Sequence, residues 1–382
     1  MSQAKTALDR INWDFPSTGT HGRSVHTAHW FPGNFISQIP AHLIQILSKP
    51  GQLVFDPFSG SGTTAIEAVR LGRNAIASDI VSACVFISNC KVTAFHSPIQ
   101  RNVISEVISK LAWSHLCESE FVGANGEGSS EFLKKWYAPR TLRQLRYLWK
   151  IIEQFQGGDR SILELLFSDV LFFCAAPGNK TSTGKIRKHH WGWVADNVLP
   201  TIHIEHDAVT AFQSRLLDLF NNTMLHEAHA DAMVVRQDAR KLSLKSGCVD
   251  LIVTSPPYVG VIDYTRANRL LYLWKGWGFD ADRESEIGAR YKRGRARIQE
   301  EYLGDMRDCW AECCRVLKPG GYIAIILGES RKFPGTVDQT FRDIEDHLQK
   351  VWGPVRRTPS RRRVSDRYAS EAEEFVAVFQ KK

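Results

Sequence analysis

Nothing in the 382-residue sequence is apolar over a stretch long enough to cross a bilayer. The most apolar run, Leu163 to Ala176, is too short for that and carries Glu164 and Asp169, so it reads as a buried helix. The opening MSQAKTALDR is polar and lacks the apolar segment of a secretory signal. Eight cysteines occur without a Cys-x-x-Cys pair, which argues against a zinc ribbon and fits a reducing compartment. Cys309 and Cys313 lie one helical turn apart, but no second pair at ligand spacing completes a metal site. The expectation is a cytoplasmic protein with no membrane segment and no bound metal. Two phosphate signatures are absent as well. GxxxxGK[ST] does not occur, because Gly178 to Lys185 has one residue too many and runs on into Ile186. GxGxxG fails because Gly60-Ser-Gly62 is followed by Thr63-Thr64-Ala65.

Acidic charge is in deficit. Forty-nine Lys and Arg against 41 Asp and Glu give a formal net charge of +8, which favours an acidic partner, nucleic acid being the commonest. A hydrophobic share of 43% and a charged share of 24% exclude wholesale disorder. The length corresponds to two or three domain-sized units.

Two stretches alternate strand and helix. In the first, Gln52 to Phe55 is a short apolar strand followed by a Gly/Ser-rich turn. A helix from Thr63 to Leu71 and a strand from Asn74 to Ser78, closed by Asp79, complete a βαβ unit and imply a parallel sheet. In the second, Ala232–Val235, Asp250–Thr254, Tyr322–Leu327 and Glu374–Phe379 read as strands. The helix Glu300–Val316 is closed there by Lys318-Pro-Gly-Gly321. Between the two, Trp136–Phe155 and Ser161–Ala175 carry apolar residues at helical spacing, with loops at Gly123–Ser130 and Gly178–Lys188. The expected fold class is α/β, a doubly wound sheet interrupted by a mainly helical insertion. The divisions fall at residues 1–96, 97–227 and 228–382.

Asp56-Pro-Phe-Ser-Gly-Ser-Gly-Thr-Thr64 sits directly after a strand and opens a helix. Glycine there lets the backbone approach a ligand at the sheet's carboxyl edge. Asp250-Leu-Ile-Val-Thr-Ser-Pro-Pro-Tyr258 is the most informative segment, since two prolines remove two N–H donors and stiffen a turn at the strand's end. Carbonyls in such a turn point outward rather than into a ladder.

Together these segments resemble motif I and the Ser-Pro-Pro-Tyr tetrad of the amino-methylating (cytosine-N4 and adenine-N6) site-specific DNA methyltransferases, over Val25–Ala94 and Met233–Leu327. The resemblance implies a Rossmann-like methyltransferase sheet and S-adenosyl-L-methionine as cofactor. It implies Asp56, Phe58, Ser59, Gly60, Gly62 and Thr63 at the cofactor, near its methionine part. It also implies Asp79 as the acid for the ribose hydroxyls and Asp238 as the acid for the adenine amino group. The plainer readings are a solvated strand end for Asp79 and a helix N-cap for Asp238. His29-Trp-Phe-Pro-Gly-Asn34 with Ile39-Pro40 loosely resembles motif X, which packs at the methionine end. The motif III acid falls after the insertion, a departure that leaves the named class of the family open.

For the chemistry, Ser255, Pro256, Pro257 and Tyr258 form the implied catalytic set. An exocyclic amine is a poor nucleophile because its lone pair is delocalised into the ring. Acceptors on its N–H groups, Ser255 Oγ and the Pro256 carbonyl, favour a pyramidal nitrogen aimed at the methyl donor, and Tyr258 stacks on the base. A base inside a duplex cannot reach them, so base flipping is implied. No Pro-Cys pair exists, which excludes the covalent route of carbon-5 cytosine enzymes. Ser at the tetrad's first position is typical of cytosine-N4 enzymes, whereas Asp is more usual for adenine N6. Asp263, Tyr264, Arg266 and Arg269 follow the tetrad and border the expected base pocket, with Tyr264 and Trp274 equally suited to the core.

Four basic clusters are candidates for tracking a phosphate backbone. They are Lys134, Lys135, Arg140, Arg143 and Arg146 beside Trp136 and Tyr137; Lys180 to His190 before Trp191 and Trp193; Arg290 to Arg297; and Arg356, Arg357 and Arg361 to Arg363. The expected partners are double-stranded DNA with a flipped target base and a cognate restriction endonuclease. The alternatives are adenine-N6 transfer, an RNA amino-group methyltransferase, and a non-catalytic nucleic-acid binder on a degenerate methyltransferase core.

Overall fold

Apolar runs become strands where the sequence pattern places them, with ends moved by one or two residues. The computed structural model describes residues 2–15, 25–34, 36–112, 131–175, 191–222, 230–358 and 373–382. Its strands are β1 (Leu53–Asp56), β2 (Asn74–Asp79), β3 (Ala232–Arg236), β4 (Val249–Thr254), β5 (Leu317–Gly328), β6 (Gln349–Arg357) and β7 (Glu374–Gln380). They join in one sheet of order β3-β2-β1-β4-β5-β7-β6. The first five run parallel, and β7 is inserted in the reverse sense between β5 and β6. The chain reverses its winding at β1, so the crevice of this open α/β sheet lies outside the carboxyl ends of β1 and β4.

Two elements differ from the sequence pattern. β6 is an added edge strand whose reading Gly353-Pro354 obscures, because proline suits a strand only at an edge or bulge. Its pairing with β7 shifts register on both sides of Trp352. Lys318-Pro-Gly-Gly321 is a bulge within β5 rather than a separate turn, since the pairing with β4 jumps from Leu317 to Tyr322. A side chain at Gly321 would come within 2.9 Å of the Asp250 carbonyl, which explains the glycine.

The insertion contributes the helices Arg101–Ala112, Pro139–Ile152, Gly157–Cys174, Trp191–Ala195 and Ala208–Asn222. Proline at the first helical position opens Pro139–Ile152, and Leu142, Leu145, Leu148, Ile151 and Ile152 recur on one buried face. Gly157–Cys174 is apolar nearly all round and packs on the core helix Ser82–His96. The two acids within its apolar run are satisfied: Glu164 by Arg160 at 2.9 Å and Lys275 at 2.8 Å, Asp169 by Arg215 and the Trp30 amide. One apolar cluster runs from β1, β4 and β5 on one sheet face through these helices without a break. A second, built on Phe55, Ile252, Tyr302 and Trp310, fills the other face. No helix among the described residues is long and apolar enough to cross a membrane.

Candidate active site

The two motifs are about 200 residues apart in sequence but adjacent in the sheet. Val54 pairs with Leu251 and Phe55 with Ile252, so the turns leaving β1 and β4 emerge side by side at the switch point. Thr254 Oγ1 donates to Asp56 Oδ1 at 2.6 Å and ties the ends of the two strands together. Asp56 is buried, its Oδ2 finds no partner among the described residues, and burial pushes its pKa up to about 6.

The motif I turn is shaped by what surrounds it. The Ser59 amide donates to the Ser78 carbonyl at 2.9 Å, and Gly60 and Gly62 take φ of 51° and 82°. A side chain at Gly62 would meet Ser88 Oγ at 2.5 Å, so this glycine is required for the close approach of the helix Ser82–His96. The Gly60 amide donates at 3.0 Å to one carboxylate oxygen of Asp79, and the Val81 amide donates at 3.0 Å to the other. Burial raises Asp79 to about 6.

A cleft opens at this point. Pro57, Phe58 and Gly60 form one wall, Asp79, Ile80 and Val81 another, with Asp238 and Ala239 beside them. Ser255, Pro257, Tyr264, Glu286 and Ile287 close it on the β4 side. Phe58, Gly60, Asp79, Asp238, Ser255 and Pro257 therefore share one space. Asp56, Ser59, Gly62 and Thr63 stand behind its wall, buried or packed against neighbouring elements. The motif X segment reaches the same place: Ser61 Oγ donates to Asn34 Oδ1, and Phe31 stacks on Tyr264 with centroids 5.5 Å apart.

Asp238 is held by Arg240, whose Nε and Nη2 donate to its carboxylate at 3.0 and 2.8 Å. Burial works to raise the pKa of Asp238, yet the bonds from Arg240 outweigh it and keep the group below the usual carboxylate range. Arg240 is anchored in turn by Asp305 at 2.8 Å. Glu286 has no counterpart in the sequence reading. Its two oxygens accept from the Tyr264 and Thr265 amides at 2.9 and 2.7 Å, and burial raises it to about 7. No local motif marks it, because it acts on amides 21 and 22 residues away in sequence.

In the tetrad, Ser255 Oγ lies 3.4 Å from Tyr258 Oη, which lies 3.5 Å from Glu374 Oε1. Arg357 pairs with Glu374 and donates from Nε to the Trp13 carbonyl at 3.0 Å. Tyr302 Oη donates to the Pro257 carbonyl at 2.9 Å. Among the described residues no hydrogen bond reaches the Pro256 carbonyl. The Tyr258 ring packs against β5 at Gly328, where a side chain would meet it at 2.2 Å.

Several residues of the basic clusters have partners within the fold. Trp136 and Tyr137 are buried in the core, and Arg357 is buried against Glu374. Lys292 is buried with Nζ donating to the Glu284 and Glu286 carbonyls. Lys134, Arg140, Arg290, Arg295 and Arg297 each pair with a carboxylate. Lys180 to His190 and Arg361 to Arg363 lie outside the described residues. Trp274 is a core aromatic, packed on Trp149 and Phe167.

S-adenosylmethionine fits the cleft. Its walls combine apolar Phe58, Ile80, Val81 and Ile287 with the acids Asp79, Asp238 and Glu286, and no Lys or Arg lines it among the described residues. That suits a cationic, hydroxyl-bearing nucleoside better than a pyrophosphate. A side chain at Gly60 would push against the Phe31 ring at 3.2 Å, closing the cradle from below.

Residues 3–89 and 249–382, more than half of the chain, match the family model described as DNA methylase, in the N6 and N4 methyltransferase group. The match contains Asp79 and the tetrad and leaves out the insertion and Asp238. The type II methyltransferase M.MjaII of Methanocaldococcus jannaschii is 21% identical over 84% of this chain and 76% of its own. The type II methyltransferase M.BsoBI of Geobacillus stearothermophilus is 27% identical over 66% of this chain and 53% of its own. Among solved structures, TrmN from Thermus thermophilus overlaps 91% of this chain and 48% of its own, at 13% identity and a TM-score of 0.36.

Proposed function

The chain belongs to the family of N6- and N4-methylating DNA methylases, whose cofactor is S-adenosylmethionine, and from that premise we propose that it methylates cytosine N4 in DNA. The observation that carries this reading is Ser255, a neutral hydroxyl at the head of the tetrad, facing the cleft beside a Pro256 carbonyl with no protein partner among the described residues. Both are acceptors for the two protons of an exocyclic amine. Holding those protons draws the lone pair out of the ring and onto the nitrogen. The target base must leave the duplex to reach them. When bound, S-adenosylmethionine supplies an electrophilic methyl group on a sulfonium.

The residues around the tetrad divide the remaining work. Asp79 accepts from the ribose hydroxyls, Asp238 sits beside the adenine, and the acids of the cleft offset the positive sulfonium. The proton shed by the amine at Ser255 Oγ has a path to Tyr258 Oη and on to Glu374. Burial pushes the Glu374 carboxyl above the usual carboxylate range against the pull of Arg357, which suits a proton acceptor. Target recognition falls to the helical insertion, residues 97–227, supported by its lying outside the family match. A restriction endonuclease of the same specificity is the expected partner, as the type II names of both relatives suggest.

The test is expression in a host free of DNA methylation, with modified bases mapped by single-molecule sequencing. N4-methylcytosine in one sequence context is expected, and N6-methyladenine in its place overturns the choice of base. Ser255→Ala should abolish the modification while leaving cofactor binding, measured by calorimetry, unchanged.

A further inference from the structure

A second cavity opens between the insertion and the segment that follows the tetrad. The rings of Phe132, Tyr272, Trp277 and Phe279 line it together with Arg269. Tyr272 meets Trp277 and Phe279 edge to face, at 87° and 86°, and none of the four rings is stacked flat on another ring among the described residues. Tyr272 is itself buried, so the partly exposed rings of Phe132, Trp277 and Phe279 are the walls open to a flat aromatic guest. The cavity is one apolar layer from the cofactor cleft: Ile80 and Val81, which line the cleft, share a cluster with Tyr272, Trp277 and Phe279.

Beside it stand three arginines that the fold does not satisfy. Arg266 Nε, Arg269 Nη1 and Arg283 Nε are each buried without an acceptor among the described residues. Arg266 and Arg283 lie close enough to Arg269 to weigh against its charge, while Asp196 and Asp263 support it from further off. The nearest carboxylates are 3.9 Å from Arg266 and 3.9 Å from Arg283, beyond hydrogen-bond range. The Tyr291 ring lies under both, at 5.1 and 4.2 Å, and fixes them as a group. Three guanidinium groups gathered without a close carboxylate concentrate positive charge at the cavity's edge, where Arg269 lines it, and that charge suits a phosphate.

We infer that this is a nucleotide-binding site for the substrate strand: the aromatic cavity takes one unstacked base and the Arg266–Arg269–Arg283 cluster takes its phosphate. The inference rests on the DNA reading above and concerns a nucleotide other than the one at Ser255. Its position one layer from the cleft suits a neighbour of the flipped target. The site grips the strand there through ring faces and phosphate charge, which every nucleotide offers, so it contributes affinity without reading sequence.

The experiment measures a short fluorescein-labelled DNA single strand of mixed sequence by anisotropy, with S-adenosylmethionine binding followed separately by calorimetry. Arg269→Ala and Trp277→Ala should each weaken strand binding on the order of tenfold, while Trp277→Phe keeps most of it. Arg269→Ala should also lower the slope of log affinity against log salt by about one. Cofactor affinity should stay unchanged in all three, and Arg269→Ala should keep the wild-type melting temperature, which separates a lost contact from a lost fold. A wild-type protein that binds cofactor but neither this strand nor its duplex overturns the DNA reading and this site with it, whereas one that binds the duplex and not the strand overturns this site alone. Wild-type binding that all variants match overturns this site alone. Variants that lose thymidine monophosphate but hold the strand as wild type does also overturn it, because the site then serves a free nucleotide.

Discussion

Asp79 closes β2 with each carboxylate oxygen already on a backbone amide, Gly60 for one and Val81 for the other. Each oxygen keeps a further lone pair for a ribose hydroxyl. Burial has lifted the group from the ordinary 3.8 to about 6, so in the free protein it is largely protonated below that pH. The protonated form offers one acceptor fewer, so the hydroxyls bind best to the carboxylate. With the ribose hydroxyls on Asp79 as proposed, cofactor affinity is expected to be full well above pH 6 and to fall as the pH drops through it, with one proton released on binding in the acid range. Calorimetry in buffers of different ionisation enthalpy reads that proton directly. Asp79→Asn should weaken binding by roughly 1–3 kcal/mol and flatten the slope near pH 6. A slope unchanged by the substitution would mean that another acid carries it, Glu286 near 7 being the alternative in the same cleft.

At the level of elements, the site depends on how closely the motif I turn and the following helix approach one another. Gly62 combines a φ of 82° with a neighbour that leaves no room for a methyl group: Ser88 Oγ at 2.5 Å and Ser88 Cα at 3.2 Å. The left-handed backbone alone costs an alanine about 1–2 kcal/mol. Displacing the helix Ser82–His96 adds overpacking of about 1–3 kcal/mol. Gly62→Ala is therefore expected to lose roughly 2–5 kcal/mol of stability in urea unfolding and to weaken cofactor binding. Adding Ser88→Gly should recover the steric part and leave the backbone part, so the double variant stays below wild type. The turn after β4 is stiffened differently. Pro256 and Pro257 cannot donate to a ladder, and the Tyr302 hydroxyl holds the Pro257 carbonyl.

The whole molecule shares one apolar cluster between sheet and insertion, and beside it a smaller one joins Ile87 and Cys90 of the core helix to Leu165 of the insertion, with Ile87 and Leu165 fully buried. Further ties cross the same boundary: the Trp30 amide to Asp169 at 2.7 Å, and Lys275 to Glu164 at 2.8 Å. A boundary packed in this way melts with its neighbours. Ile87→Ala should cost about 2–5 kcal/mol. It should move the far-ultraviolet dichroism and tryptophan fluorescence transitions in urea by the same amount, since Trp149 reports the insertion and Trp310 the core. Two separated transitions would show an insertion that folds independently.

Much of this was legible in the residues themselves. Strand and helix patterns around Asp56–Thr64 and Asp250–Tyr258 are local, and local periodicity with turn chemistry was enough to place β1, β2, β4 and β7 and the amino-transfer motif. Asp79 was legible because it lies at a fixed distance beyond the glycine turn in a βαβ unit. Glu286 was not, because it answers amides more than 20 residues away that only the folded turn brings to it. Nor was the fate of the basic clusters, since a lysine that binds phosphate and one that caps buried carbonyls, as Lys292 does, look alike in one dimension. β6 was hidden by its proline, whose tolerance at an edge depends on which strands lie beside it. The sequence by itself determined the chemistry, because a few residue types at short spacing decide which atoms can be offered to an amine and a cofactor. The tertiary structure alone decided that those atoms face one cleft, because only the pairing of β1 with β4 joins segments separated by the whole insertion.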